Sequence, residues 1–271
     1  MLAGVPSRAA ITYAGHATVL IEMGEARLLT DPLLRERLLL VLRRHGGVDR
    51  DALGRVDGVL ISHLHLDHLD LASLRKIGSS VPILAPPGST GFLARHGFAN
   101  VTELSPGETT TLAGVDVRAV EAVHGRGRIF GLGKGEAVGY LVEGPRRVYY
   151  PGDTELFDGM RDLGEDLDLA LLPIWGWGPT LGPGHLDPEA AARALAMLRP
   201  RFAVPVHWGT LALLGAKRIW PWLFERPARE FVEWARRLAP EVEVRVLEPG
   251  QSLQLESSYP PGRPWPAIGQ P

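Results

Sequence analysis

The stretch Val59–Asp70, VLISHLHLDHLD, constrains this chain more than any other. A short apolar run closes on Ser62, and His63, His65, Asp67 and His68 follow within six residues. An apolar run of this length suits a buried strand. Residues two apart in extended chain share a side, so His63 and His65 point the same way, and Asp67 and His68 follow as the chain turns. A solvated histidine-rich turn has no need of such placement. A strand that delivers imidazoles and a carboxylate to one loop describes a nitrogen/oxygen metal ligand set.

So short a piece cannot satisfy one ion with all four side chains, so further ligands must come from afar. Three candidates close strand-like segments: His124 ends RAVEAVH, Asp153 follows VYYPGD and His207 ends AVPVH. Strand ends of one sheet converge on a shared rim. Seven candidates are too many for one tetrahedral ion and enough for two.

The rest of the chain reads as strands mixed with separated helices, an α/β layered domain over residues 1–255. Ala17–Glu22 and Ala26–Asp31 flank a hairpin signal, as do AVGYLVEG and RRVYYPGD. LDLALLPI is a buried strand, and RFAVPVHW carries Pro205, which predicts an edge or bulged position. Helices are expected at Leu69–Ile77, at DPEAAARALAMLRP with Asp187 as cap and Pro188 in the first turn, and at AREFVEWARRLAP. EVEVRVLEPGQSLQL closes the sheet, and residues 256–271 form a tail too rich in proline and glycine to order.

Composition removes several classes. There is no cysteine, which excludes disulfides, thiolate ligands and a cysteine nucleophile. A net charge of −2 gives no footprint for nucleic acid. No signal peptide or integral membrane segment is read, so a soluble, cytoplasmic protein is the expectation.

SHLHLDH matches the H-x-H-x-D-H signature of the metallo-β-lactamase superfamily, and His124, Asp153 and His207 fall in that superfamily's order. AGHATVLIE, LTDPLL, YPGDTELF, GHLDPEAA and VPVHWGT resemble more narrowly the branch of L-ascorbate-6-phosphate lactonase-like proteins and N-acyl-phosphatidylethanolamine phospholipase D. The resemblance runs from about Ile11 to about Gly250. It implies a four-layer αβ/βα sandwich with a dinuclear site on its rim. His63, His65 and His124 would hold one metal, Asp67, His68 and His207 the other, and Asp153 would bridge them. Zinc suits the donors best, with manganese or iron also compatible. Two ions sharing a water lower its pKa, and the bridging hydroxide attacks carbon or phosphorus. The di-iron oxygen-reducing members usually carry glutamate in place of the second histidine and a flavodoxin domain. Here that position is His65, and no second domain is visible.

Other residues carry two readings each. Asp31 resembles a family aspartate that orients a metal-binding histidine; it also suits a turn before Pro32. His16 resembles a family histidine near the site; it also reads as a buried, hydrogen-bonded structural histidine, the better of the two. Asp67, as the motif carboxylate, and His185 are the catalytic candidates. His185 either stabilises the transition state and protonates a leaving oxygen or holds the entry to the helix that Asp187 caps. Gly125–Glu136 carries Arg126, Arg128 and Lys134, a loop that binds phosphate or carboxylate, or is merely solvated. Trp175, Trp177, Trp220, Trp222 and Phe224 line a substrate mouth or a subunit interface, or pack on the core. Leu33–Gly47, whose leucines spread around a helical wheel, reads as a lid or an oligomer contact.

A metal-dependent hydrolase is therefore expected. Its substrate is a small or lipid-like anion: a phosphodiester in the first reading, a phosphorylated or carboxylated lactone in the second. A non-enzymatic metal-binding scaffold requires a lost ligand, and a nuclease requires a basic surface; the sequence shows neither. A homo-oligomer is compatible with the aromatic segments.

Overall fold

The computed structural model describes residues 8–39, 42–124, 136–164 and 166–256. The tail expected over 256–271 lies, apart from Glu256, outside them. The chain runs β1 (Ala9–Gly15), β2 (Thr18–Met23), β3 (Ala26–Thr30), β4 (Arg37–Leu38), β5 (Leu42–Arg44), β6 (Gly58–Leu60), α1 (Leu71–Ile77), β7 (Ile83–Ala85), α2 (Thr90–Arg95) and β8 (Val101–Glu103). It continues through β9 (Thr109–Leu112), β10 (Val115–Glu121), β11 (Val138–Glu143), β12 (Arg147–Tyr150), β13 (Leu169–Pro173), α3 (Pro188–Leu198) and β14 (Phe202–Val206). It ends with β15 (Leu211–Leu213), α4 (Ala216–Ile219), α5 (Arg226–Leu238), β16 (Glu243–Val244) and β17 (Ser252–Gln254).

Two seven-stranded sheets dominate, ordered β17-β1-β2-β3-β6-β7-β8 and β16-β14-β13-β12-β11-β10-β9. Each is antiparallel in one half and parallel in the other. Strand alternation sorts their side chains into layers. Leu60, Val148, Tyr150, Leu169, Leu171, Phe202, Val204 and Val206 face the core between the sheets. Their neighbours Tyr149, Ala170, Leu172 and Ala203 face outward against α3 and α5 through Leu195 and Phe231. Val59 and Ile61 face outward from the first sheet against Leu74 and Leu93 of α1 and α2. Helices thus cover both outer faces, and the four-layer αβ/βα metallo-β-lactamase sandwich is the observed architecture.

Helix ends follow local chemistry. Asp187 accepts from the Ala190 N–H at 2.8 Å and Pro188 opens α3; Arg199 closes it in a left-handed conformation before Pro200. Asp70 caps α1 by accepting from the Ser73 N–H at 2.9 Å, so the helix starts two residues later than expected.

Leu33–Gly47, read as a lid or an oligomer contact, supplies β4 and β5, which join β15 in a small third sheet: Leu33, Leu38 and Leu42 pack with Leu211 while Leu34 enters a different cluster. Two expectations change. Pro205 lies not on an edge strand but in β14, between β13 and β16. It is tolerated there because β16 pairs only with Phe202 and Ala203, leaving one side of Pro205 without a ladder partner. EVEVRVLEPGQSLQL does not close one sheet: β16 ends the second, and β17 returns to pair with β1 in the first.

Candidate metal centre

The carboxyl ends of strands from both sheets meet on one rim. β1 delivers His16, β3 Asp31, β6 the segment from Ser62 to His68, β10 His124, β12 Asp153, and β14 His207. All seven expected ligands come together there.

Two groups form within this cluster. His63, His65 and His124 make one, with His124 Nε2 at 3.2 Å from His65 Nδ1 and the His63 and His65 rings 4.5 Å apart. Asp67, His68 and His207 make the other, joined by His16. Here His68 Nε2 lies 3.0 Å from His207 Nε2, and Asp67 Oδ2 lies 3.5 Å from His207 Nε2 and 3.7 Å from His68 Nε2. Asp153 stands between the groups. Its Oδ2 is 3.2 Å from His68 Nε2 and 4.0 Å from His63 Nε2, and its Oδ1 is 3.4 Å from His207 Nε2.

The far side of three imidazoles is anchored. His68 Nδ1 donates to Asp31 Oδ2 at 2.7 Å, His124 Nδ1 to the Gly184 carbonyl at 2.7 Å, and His207 Nδ1 to the Trp175 carbonyl at 2.8 Å. An N–H spent outward leaves the Nε2 lone pair facing inward, the tautomer that binds a cation. His63 Nε2 and Asp153 Oδ1 are buried with no hydrogen-bond partner among the described residues. Buried donors and acceptors rarely stay unpaired. These atoms, facing neighbouring carboxylate and imidazole, fit divalent cations with nitrogen and oxygen ligands.

The charges agree. Burial pushes the His63 and His124 imidazoles below their ordinary range. Burial pushes His68 down too, but Asp153, Asp67 and Asp31 outweigh it and hold His68 well above. Burial opposes ionisation of Asp67 and Asp153 as well, yet the imidazoles around them, His68 for Asp67 and His207 then His68 for Asp153, keep both carboxylates well below their usual values. Without a metal, the charges of Asp153, Asp67 and Asp31 favour a proton on His68.

Asp31 holds that group from behind. It is fully buried and accepts from the Ser62 N–H at 2.7 Å, the Ser62 hydroxyl, the Tyr150 hydroxyl and His68. Ser62 Oγ also lies 3.0 Å from His63 Nδ1, so one hub reaches both groups. Of the two readings of Asp31, the geometry supports the orienting one. His16 does more than fill the core: its Nε2 lies 3.0 Å from Asp67 Oδ2, its carbonyl accepts from the His207 N–H at 2.8 Å, and its ring sits 4.0 Å from that of His207. His16, Asp31 and His207 all have positive φ, a strained backbone for residues with a Cβ.

His185 reaches the site. Its Nε2 lies 3.2 Å from Asp153 Oδ2, and its Nδ1 faces the carbonyls of Gly182 and Pro183. Burial lowers its pKa, but the hydrogen bond and charge of Asp153 raise it to about 8. Sequence reasoning assigned no role to Ser62, Tyr150 or Glu155. Glu155 Oε1 accepts from the Gly184 N–H at 2.7 Å and so fixes the loop that holds both His124 and His185. The only sequence signal for Glu155 was its place within the quoted YPGDTELF.

The aromatic segments are half-buried rather than open. Trp175 meets Trp222 edge-on at 5.7 Å, and Trp220, Trp222 and Phe224 pack on Ala212, Ala216 and Leu223. Trp177 packs on the leucine cluster of the third sheet. Arg126, Arg128 and Lys134 lie outside the described residues. No helix among the described residues is long and apolar enough to cross a membrane.

Comparison with known proteins agrees with this geometry. A family model described as a beta-lactamase superfamily domain matches residues 26–208. A UPF0173 metal-dependent hydrolase of Deinococcus radiodurans is 36% identical over 252 residues, covering 90% of this chain and 99% of its own. One from Thermus thermophilus is 33% identical over 251 residues, covering 91% and 99%. Among solved structures, the metallo hydrolase Igni18 of Ignicoccus hospitalis superposes with a TM-score of 0.69 at 26% identity, covering 92% of this chain and 98% of that one. The chain belongs to the beta-lactamase superfamily and, within it, to the UPF0173 family of metal-dependent hydrolases.

Proposed function

We propose that the protein hydrolyses a phosphodiester at a dinuclear metal centre. His63, His65 and His124 would hold one ion, Asp67, His68 and His207 the other, with Asp153 shared. The observation that carries this reading is the outward anchoring of His68, His124 and His207, which turns Nε2 of His68 and His207 towards Asp67 and Asp153 and Nε2 of His124 towards His65. Two divalent ions held there would lower the pKa of a shared water towards neutrality and polarise the attacked oxygen.

The chain's own residues supply the rest. Asp31 and Ser62 fix the ring planes of His68 and His63. His16 holds Asp67 through Oδ2. His185 is the group suited to proton donation, because it is partly open to solvent and its Nε2 reaches the centre of the site, 3.2 Å from Asp153 Oδ2. As a water oxygen bonds to phosphorus and the bond to the leaving alkoxide breaks, His185 gives that alkoxide its proton. The comparisons support a metal-dependent hydrolase; the phosphodiester itself rests on the leaving-group chemistry of His185 and on the sequence resemblance.

The test is elemental analysis followed by a hydrolysis screen of phosphodiesters, lactones and β-lactams with zinc- and manganese-loaded protein. About two metals per chain, and turnover of phosphodiesters that drops in His185→Ala more for alkoxide than for nitrophenolate leaving groups, are expected. Fewer than one metal after reloading overturns the dinuclear centre. Turnover confined to lactones overturns the phosphodiester.

A further inference from the structure

The two groups of ligands are not equally closed. His16, Asp67, His68 and His207 are all buried and bring four ligand atoms within 4.8 Å of one another. His63, His65 and His124 bring three, and two of those residues, His65 and His124, are only half-buried. His16 also sits differently from the groups that hold the ligands in place. The Asp31 carboxylate and the carbonyls of Gly184 and Trp175 take Nδ1 of His68, His124 and His207, the nitrogen turned away from the cluster. His16 Nε2 instead lies 3.0 Å from Asp67 Oδ2, the oxygen that is 3.5 Å from His207 Nε2 and 3.7 Å from His68 Nε2. His16 therefore stands on the inner oxygen, among the donors. With His68 Nε2 3.0 Å from His207 Nε2, four edges of this set measure between 3.0 and 3.7 Å. Donors about 2.0–2.1 Å from one cation lie about 3.3–3.4 Å apart on a tetrahedron. His16 Nδ1 is buried with no hydrogen-bond partner among the described residues, so no outward contact dictates which nitrogen carries the ring proton.

We propose that His16 is a fourth ligand of the second ion, beside Asp67, His68 and His207; this rests on the dinuclear reading above, which gives His16 only a hold on Asp67. The backbone already fixes the residue there. His16 holds a φ of +56, its N–H donates to Thr210 Oγ1 at 2.6 Å, and its carbonyl accepts from the His207 N–H at 2.8 Å. Strain kept in place by such contacts gathers at functional positions. The two ions then have unequal parts. Four buried side chains make a closed site, whereas three that reach the surface leave a position open. Asp153, shared between the groups, adds a donor to each and keeps that order. The substrate oxygen therefore belongs on the first ion. His185 agrees with this side, since its ring lies 4.9 Å from that of His124 and 6.2 Å from that of His207.

The experiment loads the full chain, labelled in its histidine nitrogens, with an NMR-active cadmium isotope. His16 Nε2 should carry no proton and should couple directly to one cadmium, its signal assigned by its loss in His16→Gln. A proton on His16 Nε2 with no cadmium coupling, while the other five imidazoles couple, overturns the proposal and leaves the dinuclear reading intact. Failure of the parent to hold two cadmium ions overturns the dinuclear reading and the proposal with it. His16→Gln gives a second measurement, because its amide keeps an N–H for Asp67 but brings no imidazole. Zinc competition against a chromophoric chelator should show the second binding step weakened by more than about 100-fold, beyond the roughly 10–100-fold that loss of a positioning partner costs. The first step should persist. Parent-like affinity in His16→Gln reduces His16 to a hydrogen-bond donor and overturns the proposal. The cadmium spectrum of the parent decides the matter where that variant does not fold.

Discussion

Replacing Asp31 by Asn tests the argument for the second group of ligands most directly. The two side chains have the same shape, and Asn tolerates the positive φ of this position better than most residues. Only the charge and two hydrogen atoms differ. In the native protein four donors converge on Asp31: the Ser62 N–H on Oδ1, and the Ser62 hydroxyl, the Tyr150 hydroxyl and His68 Nδ1 on Oδ2. An amide cannot satisfy that set. With its oxygen at the Oδ2 position, its NH2 faces the Ser62 N–H. In the flipped orientation the NH2 faces three donors. The first arrangement wins and strands one buried N–H, which costs about 1–3 kcal/mol. The three remaining bonds also lose their ionic acceptor, and charge-assisted bonds are roughly twice as strong as neutral ones. A destabilisation of at least about 2 kcal/mol follows.

Metal affinity should fall as well. His68 no longer has a carboxylate to fix its Nδ1 proton, and loss of such a partner weakens binding by about 10–100-fold. The larger loss belongs to the second group, because Asp31 touches His68 directly and reaches His63 only through Ser62, while His124 is anchored separately on Gly184. Competition against a chromophoric chelator, resolving two binding steps, measures it. Equal weakening of both steps, or none, would refute the claim that Asp31 acts through His68.

Three other outcomes are expected. Gly152 has a φ of +63, and a Cβ added there meets the Ser62 side chain, so Gly152→Ala should displace Ser62 from Asp31 and His63 and lower the melting temperature more than an alanine at the open Gly91. Glu155→Ala should weaken the first metal by about 10–100-fold through the freed Gly184 loop, read in the same chelator competition. Chelated protein should be most stable near pH 6.5. Below it, the unfolded chain takes up protons that His16, lowered to about 4, and His63 and His124 refuse; above it, His185 loses its stabilisation as the pH passes through about 8, and the raised His68 loses its own as the pH climbs towards its shifted value. Metal replaces the proton on His68, so the melting shift on adding metal should grow from pH 6.5 to 8; a constant shift contradicts the competition.

Much of this site is legible in the chain because each ligand sits where an apolar run stops. A strand end is marked by local pattern, and ligands cluster where such ends meet. The supports are less legible. Tyr150 reads as one more inward-facing aromatic of β12, and only the return of β3 beside β6 brings Asp31 beneath its hydroxyl. Ser62 looks like the last residue of a strand, yet it links Asp31 to His63. The third sheet is hidden for a similar reason. The leucines of Leu33–Gly47 show no clear period, and the strand that captures them, β15, lies far along the chain after His207. Long-range pairing leaves no mark in the segment that accepts it.

The same logic explains where the backbone is strained. His16, Asp31 and His207 hold positive φ within one small volume, each just past a strand end. Strain of this kind persists only where surrounding contacts fix it. Here the contacts are mutual. His16 N–H donates to Thr210 Oγ1, His207 N–H donates to the His16 carbonyl, and the Asp31 carbonyl accepts from Thr18 Oγ1. The turns carrying His16 and His207 therefore brace each other across the two sheets. Neither His207 as a ligand nor His16 as the partner of Asp67 can shift without the other. Each group of ligands is assembled by the packing of one sheet on the other: two residues come from the loop after β6, and the third, His124 or His207, comes from the second sheet. On this argument neither group should hold a metal once the sheets part, and denaturant should release both in the transition that unfolds the sandwich; release of one well before the other contradicts it.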